Sequence, residues 1–320
     1  MREHLRPAIK ACLALWVVLL AIRPDPSFSA PRPPAGHGAM VDALGDTLQA
    51  GPYPERIVSL SPNLTETLFA LGVSPDRIVG VTRYCDFPPA ARSRPIIGGI
   101  LDPSLERIQM QHPDLVLAAR GNPVETLRRI RSLGIPVFAF DDRTGFEGIL
   151  SMVGDLTSLV GPDDRQAALD LRARFVQARE RYQAWSDSIP EREKPTVYYA
   201  DPGYPSWTAG IGSHIDDLIR LAGGRNVVSG AGWPQFSAEM LLQANPERFL
   251  LALPAGEDTA TIVSGLHGTP GWSRLANLRP GRICWIESGR LQRPGPRLPA
   301  ALEALASCLH PERPKPEAAP

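Results

Sequence analysis

The chain has 320 residues, and its 34 basic and 34 acidic side chains give a formal net charge of +0. That balance gives no support to a nucleic-acid-binding function, which normally shows a basic surface. With 43% hydrophobic and 21% charged residues, the composition is globular and sufficient for two lobes, each with its own core.

The first 29 residues are typical of an export signal. Arg2, Arg6 and Lys10 precede an apolar run from 11 to 22 that is too short to span a membrane comfortably. Small residues at 27–29 offer a cleavage site, and an uncleaved membrane anchor is the alternative. Residues 30–54 are rich in Pro, Gly and Ala and have no periodicity, which predicts a linker.

Residues 55–160 alternate between short apolar runs and helical patterns, which predicts an amino-terminal α/β lobe with parallel strands. The predicted strands are 56–60, 77–82, 113–119 and 135–140, and the predicted helices are 61–72, 101–111, 122–134 and 146–161. We expect Asp102 to cap the second of these helices, with Pro103 at its first position.

Residues 161–190 are predicted to form the connection between two lobes. From Asp163 to Trp185, apolar residues recur at alternating steps of four and three, which indicates one long amphipathic helix. Asp163 or Asp164 is positioned to cap its start. The alternative is an ordinary surface helix within a single α/β domain.

Residues 191–310 repeat the strand–helix alternation and predict a carboxy-terminal α/β lobe, followed by a polar tail at 311–320. The expected segments are a strand at 196–200, a helix at 213–224, a helix then a strand at 237–254, a helix–turn–strand at 269–287 and a helix at 298–310.

An internal repeat supports the two-lobe prediction. The segment from Ser104 aligns without a gap on the segment from Ser237, and the Ser, the Glu, an aliphatic residue, the Pro and an acidic residue coincide.

Cysteine is sparse, and no CxxC pair is present, so a thiolate zinc site is not expected. Cys284, on a predicted strand, and Cys308, on the last helix, are a candidate disulfide that leaves Cys85 free. The alternative is three buried thiols.

No enzyme motif is present: the sequence lacks GxSxG, HExxH and a P-loop. We therefore expect a protein without a catalytic site, metal site or cofactor. One rival hypothesis is an anchored interaction module with no small ligand, and the other is an exported enzyme. Asp86, Asp141, Asp142 and His214 are its candidates, and their spacing does not support it.

Aromatic and charged residues fall at predicted strand–helix loops, which line the ligand crevice in open α/β folds. The candidate ligand-binding residues are Tyr84, Asp86, Phe87, Tyr204, Trp207, Trp233, Arg290 and Arg293, with Arg297 close by. Flat aromatics suit a large planar ligand, and arginine suits its carboxylate, phosphate or amide edges.

Glu106 and Glu239 occupy equivalent places in the repeat, each in the first turn of a predicted helix. Simple helix stabilisation is one interpretation. The other is that two outward carboxylates, one on each lobe, bind arginines on a partner with two-fold symmetry.

The segments RIVSLSPNLTETLFALG, RYCDFPP, SWTAGIGSHIDDLIRLAGGRNVV and WPQFSAEMLLQANPE together resemble the periplasmic substrate-binding proteins of iron-chelate and cobalamin uptake systems. The resemblance extends over roughly 56–309 and is greatest to the cobalamin-binding members. It implies two Rossmann-like lobes joined by a single long helix, the class III periplasmic binding protein fold. It also implies a periplasmic monomer that delivers a metal chelate, cobalamin or a related corrinoid, to an ABC transporter permease dimer at the inner membrane.

The resemblance implies permease docking for Glu106 and Glu239 and ligand contacts for Tyr84, Trp207, Trp233 and Arg293. Elsewhere the chain departs from the pattern, with no tryptophan around 99–100 or at 119 and with a glycine in place of an acidic contact at 289. Haem and ferric siderophores therefore stay open as alternative ligands.

Overall fold

Two separate parallel sheets organise the part of the chain that the computed structural model describes, which is residues 36–141, 145–161 and 163–316. The predicted export signal at 1–29, the start of the predicted linker at 30–35, Asp142 and the end of the tail at 317–320 lie outside these residues. Among the described helices, none has both the length and the apolar character needed to cross a membrane.

The prediction of a linker is wrong for residues 36–54, which are structured and packed against the amino-terminal lobe. Four short strands follow one another: β1 Gly36–His37, β2 Met40–Val41, β3 Thr47–Leu48 and β4 Gly51–Pro52. β1 pairs with β4 and β2 with β3, both antiparallel. The buried carboxylate of Asp42 accepts hydrogen bonds from the Ala139 backbone N–H at 3.1 Å and from Arg131. Strands of two residues are too short to give the sequence a hydrophobic periodicity. The prediction of a linker therefore depended on composition alone.

The amino-terminal lobe contains the predicted alternation of strands and helices. Its elements are β5 Ile57–Ser59, α1 Pro62–Ala70, β6 Ile78–Val81, α2 Leu105–Met110, β7 Leu115–Ala119, α3 Val124–Ser132, β8 Val137–Phe140 and α4 Phe146–Val160. The strands are parallel in the order β6-β5-β7-β8. Every strand residue is buried, which explains their continuous apolar runs.

The predicted start of α2 is wrong by several residues. The helix begins at Leu105, and Ser104 caps it by accepting from the Arg107 backbone N–H at 3.2 Å. Pro103 pairs instead with Gly98 in a β-bridge, and Asp102 forms an ion pair with Arg83.

The long connecting helix is present as α5, Arg165–Asp187, whose 23 residues extend roughly 34 Å at 1.5 Å per residue. Asp164 caps it by accepting from two backbone N–H groups at 2.9 and 3.1 Å. The predicted apolar stripe is buried at Leu171, Phe175 and Tyr182. Trp185 is half-buried, and its indole donates to the Pro314 carbonyl at 2.8 Å, which holds the described part of the predicted tail against the helix.

The carboxy-terminal lobe has its own parallel sheet in the order β10-β9-β11-β12. Its elements are β9 Thr196–Ala200, α6 His214–Leu221, β10 Arg225–Asn226, α7 Ala238–Ala244, β11 Arg248–Leu253, α8 Thr259–His267, β12 Ile283–Glu287, α9 Ser288–Leu291 and α10 Leu298–Leu309. Sequence patterns missed α8, whose β-branched residues favour helix weakly. The helix predicted after 269 is only a short 3₁₀ turn, Trp272–Arg274.

One apolar core is shared between the lobes. It joins α1 residues such as Leu64 to Phe175 of α5 and Ile215 of α6. The other face of each sheet has its own core. The predicted disulfide is confirmed: Cys284 of β12 is bonded to Cys308 of α10 at 2.04 Å, while Cys85 is a buried free thiol.

The internal repeat is confirmed at the level of hydrogen bonds. Ser237 caps α7 as Ser104 caps α2. Asp114 accepts from the backbone N–H groups of Glu55 and Arg56 at 2.8 and 2.9 Å, just before β5. Its counterpart Glu247 accepts from the Thr196 N–H at 2.7 Å, at the start of β9. Each acidic residue therefore fixes the first strand of its lobe.

Candidate functional site

The described loops that follow the carboxyl ends of the strands in both parallel sheets form what we call the inter-lobe site. Tyr84, Asp86 and Phe87 come after β6, Tyr204 and Trp207 after β9, and Arg290 and Arg293 after β12. Within each sheet the strands are parallel, so their carboxyl ends lie at one edge. Ligands of open α/β folds bind outside that edge.

Side chains from the two lobes meet at a buried carboxylate, Glu66 of α1, which is 2% exposed. Arg293 Nη1 donates to Glu66 Oε1 at 2.9 Å, and Arg297 donates to both carboxylate oxygens at 2.8 Å. Both arginines follow β12, whereas Glu66 follows β5. The carboxyl edges of the two sheets therefore face each other and are joined by ion pairs.

These ion pairs extend into a chain of alternating charge. Arg293 also donates to Asp86 at 2.6 Å, and Arg297 donates to Glu287 at 3.1 Å, which in turn binds Arg290 at 3.0 Å. Partial burial raises the pKa of Asp86, but the hydrogen bond and charge of Arg293 outweigh it and hold that pKa below its usual value. Asp86 therefore stays ionised at neutral pH.

The aromatic residues after β6 lie beside this series of ion pairs. The guanidinium of Arg297 stacks over the Phe87 ring at 4.2 Å from its centroid, within the range of a cation–π contact. Arg293 Nη2 donates to the Tyr84 carbonyl at 3.1 Å, which fixes the loop backbone. As whole residues, Tyr84 and Phe87 are 49% and 40% exposed. The structure thus brings together Tyr84, Asp86, Phe87 and Arg293, as the sequence predicted.

The aromatic residues of the carboxy-terminal lobe form a second group on two paired loops. Trp207 bridges Gln235, and the Thr208 N–H donates to the Pro234 carbonyl at 3.1 Å. Tyr204 and Trp207 are 69% and 45% exposed. Trp233 is half-buried on the facing loop. Both groups therefore lie at carboxyl-edge loops, one on each lobe.

Trp233 is fixed by two buried side chains that the sequence did not single out as ligand contacts. Its ring lies edge-on to Tyr199 at 6.1 Å and is tilted to His214 at 5.9 Å. Burial lowers the pKa of His214 to about 4, so the imidazole is neutral, and its Nε2 lies 3.1 Å from the Leu291 carbonyl. Gln292 donates to the Tyr199 hydroxyl at 3.1 Å. The orientation of the Trp233 ring is therefore set by buried side chains that are themselves held by hydrogen bonds.

Sequence reasoning also missed Glu66, although a signal was present. It is an acidic residue between Leu64 and Leu68 on a helix whose other buried positions are apolar or small polar. A carboxylate in such a place needs a cationic partner. The partners, Arg293 and Arg297, lie more than 220 positions away, with separations of 227 and 231.

Glu106 and Glu239 are placed equivalently on the two lobes. Each is in the first turn of a Ser-capped helix, α2 and α7, and each is exposed. A hydrogen bond with Ser237 lowers the pKa of Glu239, which keeps that carboxylate charged. Two outward charges at matching positions are available for a partner.

The proposed catalytic candidates have structural partners. Asp86 is paired with Arg293, Asp141 with Arg120 at 2.8 Å, and His214 is buried, while Asp142 lies outside the described residues. Within 36–141, 145–161 and 163–316, no group of three or more His, Cys, Asp or Glu side chains is arranged to hold a metal ion.

Comparison with known proteins identifies similar chains. A family model described as a periplasmic binding protein matches residues 57–288. The cobalamin-binding protein of Halobacterium salinarum is 27% identical over 300 residues, covering 88% of this chain and 79% of the relative. The vitamin B12-binding protein of Yersinia pestis is 31% identical over 223 residues, covering 68% and 75%. The periplasmic heme-binding protein RhuT from Roseiflexus sp. RS-1, in apo form, has a TM-score of 0.68 at 26% identity, covering 80% and 98%.

Proposed function

The chain belongs to the periplasmic binding protein family, and from this premise we propose that it captures cobalamin or a related corrinoid in the inter-lobe site. As a family member it is an extracytoplasmic solute-binding protein of ABC-type uptake. The finer proposal is that it acts in the periplasm as a monomer that binds its ligand without a cofactor and catalyses no reaction.

The observation that carries the proposal is the placement of exposed aromatic rings on both facing edges. Tyr84 and Phe87 lie on one lobe and Tyr204 and Trp207 on the other, and Arg293 of the second lobe is paired with Glu66 and Asp86 of the first. Exposed flat rings on both lobes suit a bulky macrocycle, because they bury a large apolar area at little cost in conformational entropy. The cobalamin-binding names of two relatives support the corrinoid as the ligand.

Haem is the second candidate, because the heme-binding RhuT matches 80% of the chain with a TM-score of 0.68. A competition assay separates the candidates. Purified protein is loaded with cyanocobalamin, passed through a desalting column and challenged with haemin or a ferric siderophore. The proposal predicts that the protein retains its red cyanocobalamin and that neither competitor displaces it. Retention of haemin with no retention of cyanocobalamin would replace the corrinoid with haem.

We also propose that Glu106 and Glu239 dock the protein on the two halves of a permease dimer. Their exposure and their matching first-turn positions support this role. Glu106→Arg with Glu239→Arg should leave cyanocobalamin affinity unchanged and abolish stimulation of the cognate permease's ATPase. A matched control, Glu125→Arg with Glu303→Arg, reverses the charge of two other exposed glutamates and should retain stimulation. Full transport by the docking double variant would contradict the role.

A further inference from the structure

Most arginines in the described loops at the carboxyl edges are already paired with carboxylates of the protein. In the described loops at the carboxyl edges, the ion pairs are Arg83–Asp102 at 2.9 Å, Arg120–Asp141 at 2.8 Å, Arg290–Glu287 at 3.0 Å, Arg293–Asp86 at 2.6 Å and Arg297–Glu66 at 2.8 Å. Arg92 belongs to the loop after β6 too, and its Nε donates to the Asp86 carbonyl at 3.0 Å.

The two most buried of these arginines have little capacity for a ligand. Arg297 uses its Nε and both Nη atoms on Glu66 and Glu287. Arg293 uses one Nη on two carboxylates and the other on a carbonyl. A ligand carboxylate that displaced Glu66 would leave a buried anion without its partner, which is strongly unfavourable.

The carboxylates of this series of ion pairs can still accept hydrogen bonds from a ligand. Asp86 and Glu287 have side chains that are 52% and 46% exposed. An ionised carboxylate has about four acceptor positions, and the arginine contacts use only some of them. The described loops after β9 and β11, 201–213 and 254–258, contain no Lys or Arg and add Asp201, Glu257 and Asp258. The described part of the site therefore offers hydrogen-bond acceptors and negative charge, and its two most buried arginines are already paired.

Since a ligand in this site meets hydrogen-bond acceptors, we propose that the site selects ligands that carry neutral amide groups at their periphery and rejects ligands that carry carboxylates there. This inference rests on the proposed function and names the chemical class within it: a corrinoid whose side chains are amides. Amide N–H groups donate to half-exposed carboxylates, whereas ligand carboxylates are repelled by them. The arginines act as counter-charges that hold the protein carboxylates in place.

The test compares two corrinoids that differ in these groups. Dicyanocobinamide carries amides where dicyanocobyrinic acid carries carboxylates, and their dissociation constants are measured by absorbance titration at pH 7. We expect dicyanocobinamide to bind at least about 100-fold more tightly, because like charges placed together weaken binding strongly. Raising the salt concentration should tighten the binding of dicyanocobyrinic acid, since screening weakens repulsion. Equal affinities would overturn the inference and leave the proposed corrinoid function intact.

A charge variant checks the cause. Glu287→Gln removes one acceptor charge and releases Arg290, so the preference for dicyanocobinamide should fall at least about fivefold. Glu125→Gln removes an exposed charge that is paired with Arg129 within α3 and should leave the preference unchanged. A preference that is unaltered by Glu287→Gln would contradict the assigned cause.

A second ligand pair separates this inference from the proposed function. Haemin has two carboxylates that haemin dimethyl ester lacks, and both are titrated in the same detergent-containing buffer. If neither corrinoid binds and the diester binds more tightly than haemin, the corrinoid proposal fails and the charge inference stands. Tighter binding of haemin than of its diester would overturn the inference.

Discussion

Replacing Glu66 with alanine tests whether the buried carboxylate holds the lobes together. The side chain is 2% exposed and accepts charged hydrogen bonds from Arg293 and Arg297 across the lobe boundary. Removing one partner of a buried ion pair costs roughly 3–5 kcal/mol, because the remaining charge loses its compensation. Here Arg293 keeps Asp86 and Arg297 keeps Glu287. We therefore expect the lower end of that range, about 3 kcal/mol of unfolding free energy.

The assay is urea unfolding at pH 7 with the disulfide intact, followed by circular dichroism. Glu125→Ala is the matched control, because Glu125 also lies on a helix and pairs with an arginine but is exposed. It should cost less than about 0.5 kcal/mol. A loss of less than about 1 kcal/mol in Glu66→Ala, against the range for buried pairs, would refute the reasoning.

Further predictions concern the disulfide, a buried histidine and a strand-fixing carboxylate. Replacing Cys284 and Cys308 together with alanine should lower the unfolding free energy by about 3 kcal/mol, since their separation of 24 residues sets the loop entropy; an unchanged urea midpoint would contradict this. The folded pKa of His214 is about 4 against 6.5 for a free imidazole, so the unfolded state binds more protons between these values. Stability should be full above pH 6.5 and fall by about 3 kcal/mol towards pH 4, and the fall should be smaller in His214→Gln; identical pH profiles would refute it. Glu247→Ala should cost roughly 1–2 kcal/mol by leaving the Thr196 N–H without its acceptor, and a thermal melt equal to the parent's would count against that contact.

Much of the fold follows from local patterns in the sequence. The buried strands are continuous apolar runs, and α5 has an apolar stripe over its whole length, so both were predicted close to their observed bounds. The repeat predicted two equivalent units, and Ser104 and Ser237 indeed cap equivalent helices. Each of these features is indicated by residues that lie close together in the sequence.

The remainder depends on contacts between distant residues. Glu66 and Arg293 are 227 positions apart, and no local pattern links them. Asp42 fixes the segment predicted as a linker through bonds to Arg131 and Ala139, which lie about 90 positions or more away in the chain. The aromatic residues at the strand–helix loops could therefore be identified from the sequence, but the ion pairs that join the two lobes could not.

The most direct test of the account is whether one corrinoid binds between the lobes. Cyanocobalamin is added to the purified protein, and native mass spectrometry counts the molecules that each chain retains. The account predicts one per chain, with retention lost in a double variant that removes one ring from each lobe, Tyr84→Ala with Trp207→Ala. Absence of bound cyanocobalamin in the parent protein, or undiminished retention in the double variant, would contradict it.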